Sequence, residues 1–268
     1  MSFTIAHEDP VKDNTDLLRG EFGWKEVASG LGRILLGYAV LIGGLLFCAT
    51  LIVASVLHAA KHPSTPKNPN LLSLWLLYLG FGLTGLICPI SYVLILMGKI
   101  RCALNAPERH AARWMMFACL VCILMGPALN VAAGATGMKE RPNFQRGPAG
   151  VMRIQFNKRG VGMQLAGSTV SLASLLFFML FLRAIGRCFL DQGRILHVNA
   201  YLFFLAILVC ACIYAALGGA GLLRKPALLL ALLGGLALAF FWHLYLIGTF
   251  RTCISRGLEQ IRSPLEEN

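Results

Sequence analysis

Few side chains in this sequence have both the type and the spacing that chemistry needs. Cys119-Leu120-Val121-Cys122 is a C-x-x-C pair, which works as a dithiol where a positive charge or helix N-terminus favours the thiolate. His58, Thr84, Asn130, Ser168 and His243 are the polar groups that interrupt otherwise apolar runs. Among them His243 (beside Trp242) and Asn130 are the intramembrane polar candidates, because an imidazole or carboxamide in an apolar medium must find a partner. Arg101, Arg187 and Arg251 recur just past the ends of three apolar runs. A guanidinium so placed would contact an anion or a lipid head group.

The elements that position these residues follow from composition. The chain has 268 residues, 57% of them apolar and 13% charged, with a mean hydropathy of +0.70. A water-soluble domain carries about a quarter charged residues, so this chain lacks the polar surface to cover a globule. Crossing a bilayer core takes roughly 20 apolar residues. Six uncharged stretches are long enough: Ile34–Ala60, Leu71–Met97, Trp114–Ala135, Gly162–Leu182, Val198–Leu223 and Ala227–Phe250. The fold class read from this is all-α, a polytopic membrane protein of six transmembrane helices arranged as three helical hairpins.

Three regions result: a polar segment 1–33, a transmembrane domain 34–250 and a polar tail 251–268. Residues 16–30 would lie as an interfacial helix before the first span, or as a tail anchored by Trp24. The first 30 residues hold six acids, so no cleavable signal is expected. No loop is long enough to fold independently, which excludes a soluble catalytic domain. Fourteen Lys and Arg flank the spans on the amino-terminal side and ten on the other, so both termini are expected to be cytoplasmic.

A short repeat marks the exits of the even spans. Leu96, Gly98, Arg101, Leu104, Asn105 and Pro107 are matched in spacing by Leu182, Ala184, Arg187, Leu190, Asp191 and Gly193. Leu246, Gly248, Arg251, Ile254, Ser255 and Gly257 repeat it again. The pattern predicts a helix that passes the hydrocarbon edge, snorkels an Arg to the phosphates and stops at Pro or Gly. Trp24, Trp114 and Tyr201, at the starts of the odd spans, would form an aromatic belt. Small-xxx-small rows at Ala39/Gly43 and at Ala231/Gly235/Ala239 predict close helix approach.

The sharper chemistries are weak on these residues. A Ser in the fourth span with a His in the sixth is the pairing of rhomboid-type intramembrane proteases, but the stretch Ala166-Gly167-Ser168-Thr169-Val170 does not contain their Gly-x-Ser-Gly. Ser168 and His243 would also differ in depth by about 15 Å, whereas nucleophile and base need about 3 Å. Cys119 and Cys122 resemble the pair of membrane quinone-linked thiol oxidoreductases, yet lie on the predicted cytoplasmic side, away from the oxidising compartment. His58 and His62 stand four residues apart, too few ligands for a convincing metal site. No cofactor motif occurs, and no Asp, Glu, Lys or Arg lies in a span, which weighs against a charge-driven pump.

The loop Thr136–Val161 carries six cations against Glu140 alone and would dock an acidic partner or touch lipid phosphate. In it, residues 151–156 alternate weakly and 157–160 read as a turn, predicting a short hairpin. The net charge of +12 is explained by membrane-flanking residues, so nucleic acid is not an expected partner. The expected partners are the lipid bilayer with its phosphate head groups, and a second copy or another chain of a membrane complex. The leading reading is an integral membrane structural or assembly subunit without a catalytic centre. A small-solute or lipid-handling transporter is the alternative, and a membrane thiol oxidoreductase the lower one.

Overall fold

A computed structural model describes residues 21–61, 71–106, 111–139, 144–146, 152–154, 158–189, 191–217 and 226–266. Six helices account for nearly all of them: α1 (Glu21–Lys61), α2 (Leu71–Asn105), α3 (Ala112–Lys139), α4 (Lys158–Cys188), α5 (Gln192–Leu217) and α6 (Pro226–Glu266). Each contains a stretch long and apolar enough to cross a membrane. The protein is an all-α, multi-pass membrane protein.

The helices overrun the apolar stretches that announce them. α1 and α6 each have 41 residues, about 60 Å of helix against a hydrocarbon core of about 30 Å. Residues 21–33 are the first turns of α1, continuous with the span. The interval 183–197, expected as a loop, is mostly the end of α4 and the start of α5. Asp191 makes that junction tight: its backbone N–H donates to the Gly186 carbonyl (3.0 Å) and its Oδ1 accepts from Arg194 N–H (3.0 Å), capping α5. A hydropathy boundary marks where charge begins, and backbone hydrogen bonding continues past it.

Between α3 and α4, β1 (Phe144–Arg146) pairs antiparallel with β2 (Met152–Ile154), with Gln145 opposite Arg153. The expected hairpin therefore exists with a different partner. β2 pairs backwards across 147–151, and 158–160, expected as part of a turn, open α4. The third copy of the exit repeat also departs from expectation. Ser255 and Gly257 do not stop α6, which runs on to Glu266, and the Ser255 hydroxyl donates to the Arg251 carbonyl within the helix.

Contacts divide the chain into two compact units, residues 1–105 with 247–268, and residues 106–246. In the first unit α1 and α2 pack along their length on a row of glycines spaced by seven. A Cβ on Gly23 would come within 2.5 Å of the Asn105 carbonyl oxygen, on Gly30 within 2.8 Å of that of Gly98, and on Gly37 within 3.0 Å of that of Ser91. Gly44 faces the Ile87 side chain. From α2, Gly98 faces the Gly30 carbonyl and the Ile34 backbone, and Gly80 faces Ile52 and Cys48. Without side chains at these crossings the backbones approach closely and dispersion acts over many atoms. The seven-residue period keeps the row on one seam.

The expected row Ala39/Gly43 is not that seam: both residues are exposed, and nothing lies within 4 Å of a Cβ on Gly43. In this unit Trp24, Val27, Leu31 and Ile34 of α1, Cys102 and Ala103 of α2, and Ile247, Phe250, Ile254 and Leu258 of α6 are all buried. Trp24 is only 1% exposed, so it is a core residue and not part of a belt.

In the second unit α3 and α4 form the next hairpin, again through small residues. Gly126 faces Ser171, and Gly167 faces Asn130 and the Gly126 carbonyl. α5 meets the first part of α6 through Tyr201 and Phe204 against Trp242 (ring centroids 5.8 and 5.9 Å) and Leu208 against Gly235. Of the predicted row in α6, Ala239 is buried and Ala231 is exposed. Tyr201 is 2% exposed and Trp114 74%. Only Trp114 has the exposure an interfacial belt requires.

Candidate functional site

The three exit arginines have different surroundings. Arg101, near the end of α2, donates from Nη1 to the Glu26 carboxylate and to Ser29 Oγ, both at 3.0 Å. Glu26 and Ser29 stand one turn apart on α1, so this guanidinium closes the glycine seam. Arg251 of α6 lies over Gly32, where a Cβ would meet its Cζ at 3.3 Å. Gly30, against Arg101, and Gly32 are two residues apart on α1, about 200° around the helix. Arg101 and Arg251 therefore flank different faces of α1. Arg187 belongs to the other unit, exposed in the last turn of α4.

His243 is buried in α6, with its ring 5.5 Å from that of Phe178 and 6.1 Å from that of Tyr201. Phe178 is ten residues beyond Ser168 on α4, about 15 Å along the axis. The Ser168 hydroxyl is exposed and donates to the Gln164 carbonyl at 2.9 Å within its own helix. The separation in depth expected between Ser168 and His243 is thus present in the fold. Asn130 is exposed on α3, with its carboxamide against Gly167 of α4.

Cys119 and Cys122 are not joined in a disulfide. Cys119 is buried against α4, its Sγ 3.4 Å from Ser174 Oγ, while the Ser174 hydroxyl donates to the Cys119 carbonyl at 3.2 Å. Cys122 is half-buried one turn further along α3. The Ser174 contact serves to join two helices. Among the described residues no three His, Cys, Asp or Glu side chains gather as a metal site would require, and His62 lies outside those residues.

Reading the sequence for equivalent arginines passes over Arg183. It lies one turn before Arg187 on the same face of α4, and the two line a cleft of about 200 Å³ with Leu180, Ala184 and Cys188 of α4, Met115 of α3, and Ala111 just before α3. The Nε of Arg183 is buried and meets no acceptor among the described residues. No ion pair among those residues engages Arg183 or Arg187, and Asp191 is paired with Arg194. The available signal was the i, i+4 spacing of two arginines at a span edge.

Fold and side-chain geometry together define a class: a multi-pass membrane protein built of closely packed helical hairpins. The chain matches no protein-family model, no curated protein and no solved structure.

Proposed function

We propose that the protein is a membrane-embedded structural or assembly subunit, with both termini cytoplasmic. The observation that carries this reading is how its in-span polar groups are used. Ser55 donates to the Ser73 carbonyl across α1 and α2 (2.7 Å), and Ser174 to the Cys119 carbonyl across α3 and α4. Arg101, at the span edge, is committed to Glu26 and Ser29. Such groups fix helix against helix, which is the work of a scaffold. Broad apolar faces, including Leu72, Trp75, Tyr78, Phe81 and Leu86 on α2, stay exposed for lipid, a second copy or another membrane chain.

Native mass spectrometry after extraction in a mild detergent tests this. The expected result is a fixed stoichiometry, as a homo-oligomer or with a partner membrane chain. A lone monomer that also carries solute or lipid across proteoliposomes would overturn the scaffold in favour of a transporter.

A further inference from the structure

We propose that the cleft between the start of α3 and the end of α4 is a binding site for the phosphate of an anionic phospholipid, held by Arg183 and Arg187. The cleft sits where both helices meet the edge of their apolar stretches, the level at which head-group phosphates lie. Two guanidinium groups one turn apart offer forked donors that match phosphate oxygens in pairs. The buried Arg183 Nε–H has no acceptor among the described residues, and a buried donor is costly until one arrives. A phosphate oxygen would supply it. Ala111 immediately precedes the first residue of α3, and the positive end of that helix dipole also favours an anion.

The remaining lining separates a lipid from a free ion. Leu180 and Met115 give the cleft an apolar wall, each on the hydrocarbon side of its arginine or helix start. An acyl chain leaving the phosphate would run along that wall into the bilayer, whereas inorganic phosphate gains nothing from it. Such a site suits a scaffold and a transporter equally, so its test stands apart from that of the function proposed above.

The test is native mass spectrometry of the full chain in mild detergent, titrated with dioctanoyl phosphatidate, dioctanoyl phosphatidylcholine or inorganic phosphate. One phosphatidate is expected to bind tightly per chain. The Arg183→Gln/Arg187→Gln pair should weaken it about ten- to a hundredfold, the range set by losing charge-assisted hydrogen bonds. Arg183→Lys/Arg187→Lys should recover only part, because lysine keeps the charge and loses the fork. Arg256→Gln, an exposed arginine on α6, should change nothing. Because Arg183 is half-buried, exposed Arg187→Gln is measured alone as the variant that leaves folding intact, with a loss of about tenfold. Wild-type affinity for phosphatidate in Arg187→Gln overturns the proposal, as does equal binding of phosphatidylcholine. Inorganic phosphate competing as well as phosphatidate would show a free-anion site and overturn the lipid assignment.

Discussion

Serine carries much of the polar interaction between helices in this protein. Ser55 and Ser174 are buried, and each hydroxyl donates to a backbone carbonyl of the neighbouring helix. Ser168 is exposed and bonds only within α4. Interhelical hydrogen bonds in membranes contribute about 0.6 kcal/mol on average. Ser55→Ala or Ser174→Ala should therefore lower unfolding stability by roughly 0.5–1 kcal/mol, and Ser168→Ala should leave it unchanged, as read from denaturant midpoints in detergent. The cysteines make a second residue-scale test. Those in the described helices, Cys119 and Cys122 among them, form no disulfide. Alkylation of the denatured, unreduced chain should add nine groups, one for each Cys, and a mass two groups short would reveal a disulfide.

At the scale of the elements, the pairing of α1 with α2 depends on which apolar face each presents. Gly30 and Gly37 sit against backbone, whereas Gly43 has open space around it. Gly30→Leu or Gly37→Leu should cost at least about 1–3 kcal/mol, the usual penalty of overpacking. Gly43→Leu should be neutral, and thermal unfolding of the three variants would separate them. Four glycines seven apart are plain in the sequence, yet so is the row Ala39/Gly43. Lipid tails and the face of another helix are equally apolar, so hydropathy alone could not say which row meets protein. The exit repeat was legible in the same limited way. All three of its arginines lie on helices, but Arg101 is committed to a neighbouring helix and Arg183 is not part of the repeat. Whether a guanidinium meets a carboxylate, a glycine or a cleft depends on residues far away in the chain, as Glu26 is from Arg101.

For the whole molecule, an even number of spans would place the two termini on one side of the membrane, and the cytoplasmic side proposed for them rests on the excess of Lys and Arg there. Fluorescent-protein and alkaline-phosphatase fusions at each terminus should give fluorescence and no phosphatase activity. A phosphatase-active fusion at either end would reverse the assignment. The sequence by itself determined the number of spans and their approximate places, because the cost of moving a segment into hydrocarbon is a local sum over consecutive side chains. It also located the cations at the edges of those spans. Only the tertiary structure decided where helices continue past the hydrocarbon, which glycines form the seam, that Trp24 and Tyr201 are core residues, and that Arg183 and Arg187 share a cleft. Those features depend on side chains from separate helices meeting in space, and a bilayer as apolar as the protein interior leaves little trace of such meetings in hydropathy.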